Sequence, residues 1–495
     1  MDSIVEKEPA MRHTLRNSLT VLAAVTFPLL VLPPEASATH TPHPRQLSGP
    51  TPFPHCAPAA GDDTMAAGAI EPHLAADPDN PRRLAAVWPQ DRQRGAVLAV
   101  SDNGGRTWTR TVVPRLTRCS GGAYDYVDGP AVTFTGDGGL VVTGGLSMAD
   151  WSTSAVVSTR SDDDGRTWTR PAVIIQKTDP AQGGFGGGPA VTDPRDPEVL
   201  YVVTPRFPAT PRTRNDGWIS RSTDGGRTWQ PPAPVVDAGE GHMVSGHRLT
   251  VLDDGTLVDV HSRIRFGDGP AADRLTLQAV RSTDGGRTWS APVKVADQRT
   301  VWLFEDPESG EPVSHTTSLL ADTAIDRRTG RIYAAWQDAG FNGGADAVAL
   351  TSSDDGGRTW SQPVRVNRTP TGIPVPNQQA FTVTLAMSQD GTLGVSYSDF
   401  RHNDAAAPLL TDRWLARCRP RPDDCASPGA TWHETRLTPE PFDMRRAPRI
   451  PDAASPRGYF LGEQMGLAAR SGGFTAVWAA PDAPGSAAVH TVTVR

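Results

Sequence analysis

The sequence predicts an all-β fold, a β-propeller of four-stranded antiparallel blades, on three observations. The first is an octapeptide repeated five times, at residues 101–108 (SDNGGRTW), 161–168 (SDDDGRTW), 222–229 (STDGGRTW), 282–289 (STDGGRTW) and 353–360 (SDDGGRTW). Its closing tryptophans stand 60, 61, 60 and 71 residues apart. Self-similarity at a fixed period marks an array of equal supersecondary units. The second is composition: 48 Gly and 46 Pro in 495 residues, with short alternating apolar runs, mark many strands and turns and little helix. The third is that each octapeptide follows two or three strand-like runs and leads into another, which makes four strands per unit. In the second unit the runs are 130–134, 140–144, 155–158 and 169–175.

From the N-terminus, Arg12, His13 and Arg16 form a cationic head, 19–32 is apolar, and Ala36-Ser37-Ala38 fits a cleavage site. That apolar run is too short for a membrane span. Residues 1–38 are therefore read as a signal peptide, 39–50 as a flexible leader and 51–495 as a single propeller domain. The expected location is extracellular. All four cysteines lie beyond the leader, and an even count in an exported chain favours disulfides. Cys418 and Cys425 bracket a short loop, which leaves Cys56 for Cys119. No C-x-x-C spacing speaks for a metal, and no metal or cofactor is expected.

Within the octapeptide, Ser-x-Asp-x-Gly-x-Thr-Trp, the acid accepts backbone N–H groups and Gly takes the positive φ of a tight turn. Ser and Thr hydroxyls satisfy further groups, and Trp buries its ring between units. Asn103, Asp163, Asp224, Asp284 and Asp355 hold the acid position, with Asn in the first copy. One such loop per unit reads as a folding staple rather than a ligand site. The octapeptides resemble the Asp-box, or BNR, repeat of the sialidases and related β-propellers. The resemblance implies boxes that join the third and fourth strands of each blade.

A worn sixth copy, Gly429-Ala430-Thr431-Trp432, keeps the second half of the pattern. Beyond it, 466–469, 474–478 and 489–494 read as three strands without a box. A fourth strand from 51–58 would close the ring, with Pro52, Pro54 and Pro58 confining it to an edge. This makes seven blades. Six is the alternative, since sialidase-type propellers have six.

If the boxes occupy one face, the loops on the other face converge over the central channel, where propellers bind ligands. Those loops are rich in Asp, Glu, Arg and aromatics, which suit sugar rings and their hydroxyls. Glycoside hydrolysis needs two carboxyl groups, or in sialidases a Tyr activated by a carboxylate. Glu463, in a Gly-bounded segment at the mouth of a buried strand, Asp128, Tyr459 and Asp399 are the catalytic candidates. Arg92, Arg263, Arg401 and Arg248, with Asp338, Glu71 and Trp151, are the substrate-binding candidates, the arginines because a guanidinium grips a carboxylate bidentately. Asp338 and Asp399 each follow an aromatic at the same place in their blades, which also fits a structural turn. The sialidase arginine motif, Arg-Ile-Pro, occurs only at 449–451, in the wrong place, and no motif identifies the family's acid or nucleophile.

The leading expectation is a secreted, sialidase-like exo-glycosidase acting on acidic or complex glycans. The alternatives are a polyuronide lyase or a non-catalytic propeller that binds glycan or protein. A net charge of −7, with no concentrated basic stripe, argues against a nucleic-acid partner. The chain is expected to be a monomer whose partner is an extracellular glycan.

Overall fold

Seven four-stranded antiparallel sheets stand around a central channel in the structure, a computed structural model. It describes residues 42–56, 67–179, 181, 183–207, 210, 212–269, 272–299, 304–305, 312–313, 320–404, 408–420, 424–450 and 458–495. The expected signal peptide lies outside them. The blades begin with His73–Ala76, Tyr126–Phe134, Ala190–Asp193, His242–Val251, Asp322–Asp326, Ala380–Met387 and Gly466–Arg470. Each of these first strands packs on the first strand of the next blade, and the seventh packs on the first, so the ring is closed. The favoured count of seven, not six, is the one observed. No α-helix forms among the described residues.

Second strands such as Leu84–Gln90, Leu140–Ser147, Arg331–Asp338 and Leu393–Asp399 are buried almost throughout. Neighbouring blades cover both their faces, so these strands read as near-continuous apolar runs rather than alternating ones.

The octapeptides join third strands to fourth strands, as the resemblance implied. In the second, Ser161 Oγ accepts the Gly165 N–H at 2.8 Å and donates to Asp163 Oδ1 at 2.9 Å. Asp163 then accepts the Thr167 N–H at 2.8 Å and the Thr167 hydroxyl at 2.7 Å. In the first box the polarity of one bond reverses: the Asn103 amide donates to Thr107 Oγ1 at 2.6 Å. An amide and a carboxylate thus serve the same turn, because a hydroxyl both donates and accepts. The box also grips the preceding blade. Gly165 and Gly357 adopt φ of 82° and 84°, and a Cβ there would stand 2.7 Å from Leu98 and 2.9 Å from Val258.

The sixth blade departs from this plan. Its third strand, Leu410–Cys418, leads into the disulfide Cys418–Cys425, and the worn box follows before Trp432–Arg436. A covalent staple stands where the Ser-x-Asp half of the box is missing. The second disulfide is Cys56–Cys119.

The seventh blade takes Gly473–Ala483 and Ser486–Val494 as second and third strands. Its fourth strand is Arg45–Gln46, paired antiparallel with Thr491 and His490. Closure by the N-terminal segment therefore holds, but 51–58 is not the closing strand. Arg45 and Gln46 carry backbone N–H groups, whereas Pro52 and Pro54 have none to offer. Of the expected leader at 39–50, residues 39–41 lie outside the described residues, while Leu47 and Ser48 donate their N–H groups to the Val489 carbonyl. Residues 51–56 run on to the Cys56 disulfide, with Phe53 packed over Gly95 of the first blade. The seventh blade has no box because its third and fourth strands come from opposite ends of the ring-forming chain.

Among the described residues, one small sheet lies outside the blades. It joins Phe304–Glu305 and Pro312–Val313, between the fourth and fifth blades, to Arg449–Ile450 and Gly458–Tyr459, ahead of the seventh. The first two residues of the Arg-Ile-Pro match fall here, and Pro451 lies outside the described residues.

Candidate active site

Three first strands break register near their starts. The shifts fall between Asp128 and Ala131, between Ser245 and Arg248, and between Phe381 and Thr384. Gly129, Gly246 and Thr382 take positive φ at these breaks. A bulge re-aims the side chains beside it. Two of the bulges deliver Arg248 and Thr382–Thr384 to the wall of a cavity of about 200 Å³ on the channel axis.

Four charged or titratable side chains face this cavity: His73, Arg248, Asp322 and Glu463. Gln337, Gln464 and several threonine and apolar residues complete it. Arg248 is its hinge. Its Nε lies 3.4 Å from Asp322 Oδ1, and its Nη2 donates to Gln464 Oε1 at 3.3 Å. Asp322 accepts the Leu385 N–H at 2.7 Å and the Thr323 N–H at 3.0 Å. Burial nevertheless pushes its carboxyl above the usual range, against the pull of Arg248. Burial, with a smaller push from Arg248, lowers the His73 imidazole to about 4, so that ring is neutral at ordinary pH. The Glu463 N–H donates to Glu71 Oε1 at 2.8 Å. Glu71 is buried, holds a φ of 48°, and packs so tightly on Gly462 that a Cβ there would lie 2.1 Å from its Cγ. Backbone strain of that kind persists only where its surroundings impose it.

The sequence candidates divide into two sets. Glu463 and Arg248 line the cavity, and Glu71 stands behind its wall, holding the Glu463 N–H. Asp128 is not among its lining residues; it is exposed and accepts from Gln93 Nε2 at 3.0 Å. Tyr459 sits in the small sheet, its ring 5.3 Å from the Arg449 guanidinium. Asp399 is fully buried and holds Arg401 Nε at 2.6 Å and Trp414 Nε1 at 2.9 Å. Arg401 also bonds Glu434 at 2.9 Å and the Tyr397 hydroxyl at 3.0 Å, and stacks over Trp414 at 3.8 Å. This buried network ties the sixth blade to the segment ahead of it, where Thr369 donates to Asp399 and the Arg368 N–H donates to Glu434. Asp338 accepts from Trp336 Nε1 at 2.9 Å and from the Gly340 N–H at 2.7 Å. Asp338 and Asp399 both accept from indoles, Asp338 from Trp336 two residues before it and Asp399 from Trp414 on the neighbouring strand. Arg263 donates to the Ala238 carbonyl at 3.3 Å, and Arg92 lies at a turn with φ of 60°. Neither is in the cavity wall, so the arginines do not gather there as a triad. Trp151 is 55% exposed on a loop of the second blade.

Sequence reasoning missed Asp322 as a site residue. The only signal was a carboxylate interrupting an apolar run, Leu-Leu-Ala-Asp-Thr-Ala-Ile at 319–325.

The family model for the BNR/Asp-box repeat matches residues 280–291, which are the fourth box and its flanks. The match agrees with the five boxes at the same place in five blades of the closed ring. The chain is a BNR/Asp-box repeat β-propeller. This Asp-box propeller is similar to a xyloglucanase of Paenibacillus sp, at 30% identity over 214 residues, which cover 42% of this chain and 18% of that protein. It is similar to a sialidase of Micromonospora viridifaciens, at 25% identity over 284 residues, 51% of this chain and 38% of that one. The propeller thus spans well under half the length of these curated relatives. Among solved structures, a polysaccharide lyase, PL25 ulvan lyase, matches with a TM-score of 0.50 at 11% identity, over 87% of this chain and 95% of that one. That likeness concerns the fold.

Proposed function

We propose that the propeller cleaves glycans at the channel cavity, as a glycoside hydrolase acting on a sugar that bears a carboxylate. The observation that carries this reading is one cavity that holds Arg248 with two acids, Asp322, which it meets at 3.4 Å, and Glu463. Asp322, kept protonated more readily than an ordinary acid, is suited to protonate the leaving oxygen. Glu463 then serves as the base that activates water, or as the nucleophile. Arg248 binds the substrate carboxylate. Names borne by the similar proteins, xyloglucanase and sialidase, support a glycan substrate without choosing the sugar. Two disulfides support an oxidising, extracellular location, which fits the proposed signal peptide. We take the protein to act alone, without a nucleic-acid partner.

A release assay across sialosides and uronic-acid glycans tests the reading. Hydrolysis by the wild type, lost in Asp322→Asn and Glu463→Gln, is the expected result. Binding without cleavage of any of them would make the protein a binding module.

A lyase is the second reading, favoured by one observation: a neutral His73 shares the cavity with Arg248. A neutral base takes the proton beside a uronic carboxylate, the glycosidic oxygen departs, and a carbon–carbon double bond forms, while the cation offsets the developing charge. An unsaturated product from the same assay would select it.

A further inference from the structure

We propose that His247, Asp259 and His261 form a buried site for a divalent first-row transition metal, of which Zn²⁺ is the probe. His247 lies in the bulge of the fourth blade's first strand. Asp259 and His261 are alternate residues of its second strand, Leu257–Arg265, and so share one face. The bulge is what brings His247 to them. His247 Nδ1 and His261 Nδ1 lie 2.8 and 2.9 Å from one oxygen, Asp259 Oδ2. Ligands bound to zinc at about 2.0–2.1 Å in its tetrahedral geometry stand roughly 3.3–3.4 Å apart, so the three donors need open by only about half an ångström to take an ion. Two imidazoles and a carboxylate, one ligand atom from each within 4.8 Å of the others, are a common donor set for such ions. All three side chains are 0–1% exposed.

Hydrogen bonding alone leaves the cluster short of partners. Asp259 Oδ1, His247 Nε2 and His261 Nε2 are all buried without one. A buried carboxylate with an unsatisfied oxygen is costly, because nothing replaces its lost hydration. A neutral imidazole carries a single donor, so two rings supply two protons at most. A divalent ion at the shared point replaces those two hydrogen bonds with three coordinate bonds and offsets the buried charge. The preceding blade settles which nitrogen of His247 takes part. A Cβ on Gly217 would lie 2.3 Å from His247 Nε2, so that atom faces the Gly217 backbone and Nδ1 faces Asp259.

The ion would act as a positioning element. It ties the bulge to the second strand one residue before Arg248, whose Nη1 donates to the His247 carbonyl at 3.2 Å.

The test uses the whole chain, stripped with a chelator and then given Zn²⁺ or Co²⁺, both after folding and during refolding, because the site is enclosed. The expected result is one bound ion per chain by elemental analysis, a rise in Tm with Zn²⁺, and a visible Co²⁺ spectrum of nitrogen and oxygen ligation. Asp259→Asn and His261→Gln should lose all three responses. A wild type that binds no stoichiometric ion by either route, with Tm unmoved, overturns the proposal and leaves a hydrogen-bonded triad. Binding that persists undiminished in both variants overturns it too, since the ion then sits elsewhere. If the variants do not fold, the wild-type titration decides.

Discussion

At the scale of single residues, Asp322 and His73 titrate in opposite senses within one cavity. The Asp322 carboxyl has a folded pKa above its ordinary 3.8, so its contribution to stability is present in full below that value and is lost as pH rises through the folded pKa. His73 falls from 6.5 to about 4, so the unfolded chain binds the proton first, and stability declines as pH drops from 6.5 towards 4. If Asp322 is the general acid, turnover falls as pH rises through its raised pKa. A pH–rate profile checks this: Asp322→Asn should cut kcat roughly 10²–10⁴-fold and remove that limb. An activity limb near neutrality cannot belong to His73, which has already lost its proton there. Arg248→Lys should raise KM for a carboxylate-bearing glycan about tenfold or more while sparing neutral ones, since an ammonium cannot form the bidentate fork. Michaelis kinetics on paired substrates would show it. Glu463 and Arg248 were legible in the sequence because each sits where a blade begins. Asp322 was not, since only ring closure turns a polar residue in a short strand into a cavity wall. Arg401 was legible as an arginine in the right kind of loop, but nothing in its neighbours in sequence announces Glu434, which pairs with it from another strand.

At the scale of the element, the boxes are hydrogen-bonded turns whose carboxylates carry much of the burden. Asp224 accepts the Thr228 N–H at 2.8 Å, the Ser222 hydroxyl at 2.8 Å and the Thr228 hydroxyl at 2.5 Å. Asp224→Ala orphans these donors and should cost about 1–3 kcal/mol in urea denaturation, with turnover per folded molecule unchanged. Hydrogen bonds from Thr167 hold Asp163 at about 2, and those from Thr359, working against burial, hold Asp355 at about 2. Both folded values lie below the ordinary 3.8, so the stability they supply is complete above that pH and is lost as pH falls towards 2. Acid unfolding followed by circular dichroism should therefore steepen across that window. Replacing Asp163 with Asn should weaken the acid dependence, because the first box already folds around Asn103. The octapeptide made this element readable at once: its polar atoms satisfy one another locally, so its chemistry is written in eight consecutive letters. The sixth blade was harder, because a disulfide does the work there and spacing alone does not show that Cys418–Cys425 stands in for half a box.

At the scale of the whole molecule, the ring is closed by a two-residue strand and held by a covalent tie. Arg45–Gln46 covers the outer edge of Ser486–Val494, Ser48 Oγ accepts the Val489 N–H at 2.9 Å, and Cys56–Cys119 anchors the same segment to the first blade. The sequence showed that a box-free remnant needed a fourth strand, yet could not say which N-terminal residues supply it, because two residues leave no periodic signal. The tie closes a sequence separation of 63, against 7 for Cys418–Cys425. Chain entropy then assigns about 4 kcal/mol to the first bridge and about 2 kcal/mol to the second. Deleting 42–48 should expose the backbone of Ser486–Val494 as an unpaired edge, the template on which chains aggregate. Removing residues 1–41 alone leaves that pairing in place. Size-exclusion chromatography and thermal melting of the two truncations separate the cases: the first should associate and melt lower, the second should match the full chain. Mutating Cys56 and Cys119 together to Ser should lower Tm more than the equivalent change at Cys418 and Cys425, because it frees the closing strand as well as the longer loop. Equal melting of both truncations would mean that the blades' first strands, packed around the channel, hold the ring without its outer clasp.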